Sequence, residues 1–285
     1  YSRQRQMCIR DSYYVIDKFY GASDHVIYLN QGIPSAMFVT WPDMYYHSSQ
    51  DTPDKLDSTM FKRAAVVGAA AMTILATADD DMASKVTAES LARGAGRMGE
   101  SERKGLAYLA DATDGAALLD AFKEARNAVR HQAEIEKEVV RSSSVLYRAP
   151  EEQQKRFAGL ATLIDQRSAA LLEETKAYYE LQAQQRKITP QGPTLTEPEA
   201  RAARTIVERV GGAGGFGGRG AFGQQAMAKF SADERAAIQA GMRKVPPHMT
   251  SELNILIGQK KTVLEIRDFL SAEFEPLPLA DLQDY

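Results

Sequence analysis

The stretch GIPSAMFVTWPDMYYHSSQDTPDKLDSTMFKRAAVVGAAAMTILATA, residues 32–78, changes character twice. Ile33–Trp41 is short and apolar, with QG before it and PD after it, and reads as a strand. A polar loop follows, holding Tyr45, Tyr46, His47 and Asp51. A helix then starts, with Asp57 or Ser58 as its N-cap. Its apolar run, Ala64–Ala78, is 15 residues long, short of the ~20 needed to span a bilayer. It is rich in Ala and Gly, which suits close packing, and reads as a buried helix.

A histidine in a polar loop just past a strand end stands where folds commonly hold functional groups. Neutral imidazole is the commonest metal ligand. The phenol of Tyr46 beside it can donate to a developing oxyanion. Asp51, four residues on, can orient the loop or the imidazole. On its residues alone, His47 reads more readily as a solvated or packed histidine, the commoner case, than as a zinc ligand. Tyr45 and Tyr46 are then an aromatic patch, and Asp51 a turn cap.

Composition narrows the classes. The 285 residues suffice for one large or two ordinary domains, and 44% hydrophobic with 26% charged residues is ordinary for a globular chain. A net charge of −3 offers no basic face for nucleic acid. Cys8 is the one cysteine, so no internal disulfide or cysteine-based zinc site can form. Any metal must be held by His, Asp or Glu.

Upstream, YYVIDKFYG (residues 13–21) reads as a strand or a strand-to-loop passage, and SDHVIYLNQG (residues 23–32) as a short helix. Ser23 or Asp24 is its N-cap and Gly32 its stop. Residues 1–12 lack apolar periodicity and read as a non-native leader, and both ends of the chain read as cut.

Downstream the pattern is helical. Helices are expected within 82–97, weakened at its end by Gly94 and Gly96, and over about 102–111. Residues 115–188 read as a helical hairpin. Leu118, Phe122, Ala125, Val129 and Ala133 form the stripe of one arm. Phe157, Leu160, Ile164, Leu171, Tyr178 and Leu181 form that of the other. Glu124, Arg126, Glu136 and Lys137 are assigned to the solvated side, and His131 is read as solvated. The hairpin either packs within its own domain or docks a protein partner. Capping boxes are expected at Thr196/Glu199, Ser231/Glu234 and Thr262/Glu265. The Gly-rich stretch 211–225 lacks G-K-[ST] and reads as a flexible linker. His248 reads as loop or N-cap context.

Residues 21–76 resemble the closing part of a family of zinc aminopeptidases, metallopeptidase family twenty-eight, which includes glutaminyl cyclases. The resemblance is carried, in order, by Ser23-Asp24-His25, by Gly32-Ile33-Pro34 before an apolar run, by Tyr46-His47, by Asp51-Thr52, and by the Ala-rich helix. It implies an α/β remnant, the last strand and helices of a mostly parallel sheet, followed by a mainly α-helical C-terminal region. It implies two zinc ions in the parent protein, with His47 as the last ligand. It also implies Tyr46 as oxyanion stabiliser, Asp24 as an acid of the hydrogen-bond network beside the metal site, and a structural role for His25. The parent's reaction is removal of N-terminal residues from peptides by a zinc-activated water. The family's remaining ligands and its general-base Glu precede Ser-Asp-His, and residues 1–20 offer no such set. The resemblance therefore implies an inactive C-terminal fragment of a periplasmic or secreted parent, with peptide substrates, no nucleic acid and no membrane span. A non-catalytic, peptidase-like helical interaction protein is the alternative. Tyr46, where the cyclase branch carries Trp, favours the peptidase branch.

The expected segments are a leader at 1–12, peptidase remnant at 13–98, helical hairpin region at 99–190, a linker with one short helix at 191–230, and a small winged-helix-like module at 231–285.

Overall fold

The computed structural model describes residues 23–31, 33–40, 42–208 and 229–285. The readings placed on residues 1–21, on Gly32 and Trp41, and on the Gly-rich stretch 211–225 fall outside them. The chain divides into two compact units, Tyr1–Thr77 and Ala78–Tyr285.

In the first unit, α1 spans His25–Asn30, and Asp24 stands at its N-cap without a side-chain cap bond. Residues 33–40 do not pair into a ladder, which corrects the strand reading. A strand needs a neighbour for its N–H and C=O groups, and the described residues provide none. The α/β character expected of this region is therefore not seen among them. Asp57 caps α2, Ser58–Thr77, accepting from Thr59 N at 2.8 Å. No residue of α2 is buried, against the buried helix expected. Phe61, Val66, Met72 and Leu75 are all exposed. Among the described residues, the Phe38 ring lies near Gly68 of this helix. At 20 residues, α2 is long and apolar enough to cross a membrane by length and composition. The core helix of a soluble domain meets the same criterion.

The second unit is built on three long helices: α3 (Asp80–Asp111), α4 (Gly115–Ser142) and α5 (Gln154–Gln185). Asp79 and Asp114 cap α3 and α4 by accepting from Met82 N and Ala117 N, each at 2.9 Å. α3 is one continuous helix and passes straight through the two glycines expected to end it. At Gly94, and at Gly105 further along, packing favours the glycine. A Cβ on Gly94 would stand 2.5 Å from Glu136 Oε2, and one on Gly105 would stand 2.7 Å from Ala125 Cβ. These glycines let α4 approach α3 closely, so their cost in helix propensity of about 1 kcal/mol each is offset by contact.

The first arm of the hairpin is as expected: Leu118, Phe122, Ala125, Val129 and Ala133 are all buried. In the second arm Ile164 is buried, but Leu181 is exposed, and Tyr179 rather than Tyr178 lies in the core. Tyr179 stacks on Phe122 with centroids 4.1 Å apart. Two 3-10 turns, Ser143–Leu146 and Pro150–Gln153, join α4 to α5. Pro150 opens the second of them, a position where its missing N–H costs nothing.

Two acids assigned to solvent are buried instead. Glu136 is 1% exposed and takes a forked pair of bonds from Arg97, 2.7 Å each. Glu124 is 8% exposed and is met by Arg267. Lys137 bridges Glu134 and Asp165 at 2.7 and 3.0 Å. His131, also read as solvated, is largely covered.

The C-terminal helices are α6 (Glu197–Ala202), α7 (Ala232–Met242), α8 (Thr250–Ile257), α9 (Val263–Glu273) and α10 (Leu279–Asp284). All three expected capping boxes close at both bonds, at α6, α7 and α9. Val245, Met249, Leu253, Leu256, Ile266, Leu270, Leu277 and Leu282 share a core with Ala202. α10, from Leu279, is the fourth helix of the segment 231–285.

Candidate functional site

His47 sits in a tight turn built from its own neighbours. Tyr45 N donates to Asp43 Oδ1 at 2.9 Å, and Ser48 N and Oγ both donate to Tyr45 O, at 3.0 and 2.7 Å. Gln50 N donates to Ser48 Oγ at 3.2 Å, and Asp51 N to Ser48 O at 3.3 Å. These bonds satisfy the polar backbone locally, so the turn keeps its shape without a sheet.

The turn places His47 at φ 56°, in the left-handed region. A residue with a Cβ seldom adopts it, and such positions cluster where side chains are held for function. The imidazole stacks on the neighbouring Tyr46 ring, centroids 3.9 Å apart and planes 17° off parallel. Both side chains are exposed. The pair is a consecutive phenol and imidazole on one rigid turn, open to whatever covers that face.

Behind the turn, Lys55 lies over the Tyr45 ring at 5.4 Å and also meets Asp54. Asp54 accepts from Thr52 Oγ1 as well. The Lys55 contact, then the Thr52 hydroxyl, hold the exposed Asp54 carboxyl below its usual range. Asp51, the acid read as an orienting group, is exposed, and its backbone N–H is its described tie to the turn. Asp24 is exposed at the start of α1, and His25 is half-buried.

Among the described residues no group of three or more His, Cys, Asp or Glu converges on a point where a metal could be held. One imidazole does not make a zinc site, which takes at least three protein ligands. The described residues by themselves therefore do not fit a zinc ion.

Residues 4–72 match the model of peptidase family M28. The M28 stretch contains Asp24, His25, Tyr46, His47 and Asp51 together, and supports the kinship of this part of the chain with that family. Residues 73–285 lie outside it, so the hairpin and the C-terminal helices take no functional assignment from M28. No curated protein and no solved structure matches the chain.

Sequence reasoning missed the charged contacts of the second unit. Arg97–Glu136 and Arg267–Glu124 join residues 39 and 143 positions apart. No local pattern pairs residues so far apart. The one available signal was that Glu136 falls on the apolar stripe of α4 itself, one turn beyond Ala133.

Proposed function

We propose that this chain carries the His47-bearing C-terminal part of a zinc-dependent aminopeptidase, followed by a helical region, and that the chain alone is inactive. The observation that carries the reading is the M28 match over residues 4–72, which encloses Tyr46-His47 on its rigid turn. In this reading His47 supplies one imidazole ligand. Tyr46 presents its phenol to the oxyanion that forms when a peptide carbonyl is attacked. Asp24 and Asp51 orient groups around them. Because the described residues do not fit a zinc ion by themselves, no catalytic step is assigned to this chain. The uncovered apolar surface of α2 fits the same reading, since a helix apolar on all sides belongs inside a larger domain.

The second reading, a peptidase-like helical interaction protein without catalysis, draws on the extensive helical unit beyond Thr77 and on the lack of a metal-ligating group among the described residues.

Zinc titration of the purified chain, followed by calorimetry and metal analysis, tests the proposal. It predicts no stoichiometric zinc after dialysis and at most weak binding that His47→Ala removes. One or two tightly held zinc ions per chain would overturn the claim that this chain is incomplete.

A further inference from the structure

The outward face of α5 differs from the polar face that a surface helix ordinarily shows. Ile164, Ser168, Thr175 and Tyr179 are turned into the bundle. On the opposite side, Gly159, Leu163, Gln166, Ala170, Glu173 and Ala177 follow one another in alternating steps of four and three, and Leu181 stands one turn further on. All are exposed, Leu163 at 52% and Leu181 at 54%. The stripe runs about 33 Å at the helical rise. Its spacing is that of a seam between two helices, and its small residues let a second backbone come close. A Cβ on Gly159 meets nothing within 4 Å, so no neighbour among the described residues accounts for the glycine. Gly94 and Gly105 of α3 differ, since side chains of α4 press on both.

We propose that α5 pairs, antiparallel, with α5 of a second copy of this chain, about a two-fold axis at Ala170.

The face is self-complementary in that arrangement. With Ala170 against Ala170, Leu163 falls opposite Ala177 of the second copy, and Leu181 opposite its Gly159. Each of these levels sets a large side chain against a small one, and the two-fold axis makes every contact twice. Because the helices run antiparallel about that axis, each flank of α5 meets the same flank of its mate. On one flank stand the exposed Arg167 and Glu174, and the pairing sets Arg167 of each copy beside Glu174 of the other. Arg167 makes no ion pair among the described residues. On the other flank Gln166 donates to Glu173 of the second copy. A parallel pairing would set Leu163 on Leu163 and Glu173 on Glu173, and charges along a helix seam select its orientation.

Glu102 of α3 supplies a further reason. Its Oε1 is buried and takes no hydrogen bond among the described residues. Burial first, then the charge of Glu174, push its carboxyl above the usual range. An arginine arriving beside Glu174 offsets the repulsion between these two acids.

Cross-linking of the full chain in a Cys8→Ser background tests the pairing, since Cys8 is the one cysteine. Under mild oxidation Ala170→Cys should give a disulfide-linked dimer. Leu163→Cys and Ala177→Cys chains should link when mixed, and neither should link to itself. Sedimentation of the unlinked chain should show a dimer that Arg167→Glu weakens about tenfold, as two exposed ion pairs turn repulsive. Adding Glu174→Arg should restore it, because the same pairs re-form with their charges exchanged. α2 also has no buried residue, so mass alone does not identify the contact, while the links and the charge exchange do. The substituted positions on α5 are exposed, and an unchanged helical circular dichroism signal checks that each variant folds. A chain that stays monomeric, a Leu163→Cys chain that links to itself, or a dimer indifferent to Arg167→Glu would each overturn the proposal.

Discussion

Glu136 shows how a single side chain sets the packing around it. A carboxylate 1% exposed is tolerable only with its oxygens occupied, and Arg97 occupies both while Gln132 adds a third bond. Arg97→Ala would leave that carboxylate buried without its cation. The expected loss is about 2–3 kcal/mol of stability, read by denaturant titration. Arg97→Lys should recover only part of it, because an ammonium cannot bond both oxygens in a fork. The partners that make such burial tolerable were not legible in the sequence. Glu124, Glu136 and His131 sit among charged neighbours on α4, and the residues that cover them come from elsewhere in the chain: Arg97 lies on α3, and Arg267 and Glu273 on α9. His47 is the opposite case. Its place in a polar turn was readable from its neighbours, because the turn's bonds all run between residues at most three apart. The stacking of Tyr46 on His47 and the positive φ were not readable, since no propensity encodes them.

At the scale of elements, α3 makes the sharpest prediction. Gly105→Ala drives a methyl into Ala125, with Cβ at 2.7 Å and Cα at 2.9 Å, so backbone as well as side chain must move. It should cost about 1–3 kcal/mol. Gly96→Ala meets nothing within 4 Å and should gain about 0.5–1 kcal/mol from helix propensity alone. Thermal melts of the two variants should therefore shift in opposite directions, and parallel shifts would contradict the packing role of Gly105. In the sequence the glycines of α3 look alike, and treating Gly94 and Gly96 as breakers split one helix into two. Caps were far more legible than helix interiors, because Thr196/Glu199, Ser231/Glu234 and Thr262/Glu265 are local devices complete within four residues. The Ile33–Trp41 strand reading failed for the converse reason. Apolar, β-favouring residues specify a strand only when a neighbouring strand accepts their hydrogen bonds.

At the scale of the whole molecule, the chain joins a first unit with exposed apolar surface to a second unit with its own cores. The helical hairpin and its cores were legible from 3–4 periodicity. The strand reading of residues 33–40 was not borne out, because no neighbouring strand among the described residues takes up its hydrogen bonds. The difference should appear in solution. The first unit should exchange its α2 amides far faster than the second exchanges those of α4, because solvent reaches α2 on every side. Equal protection in α2 and α4 would show that α2 is covered in solution. The most direct test of the central claim uses the reading frame extended upstream of Tyr1, expressed with and without His47→Ala and Tyr46→Phe. Release of N-terminal residues from peptides and bound zinc are measured together. The account predicts an active, zinc-loaded extended protein. His47→Ala should abolish both properties. Tyr46→Phe should keep the zinc and lower kcat by about 10²–10³, the cost of one lost oxyanion donor. Full activity and full zinc in His47→Ala would contradict the account.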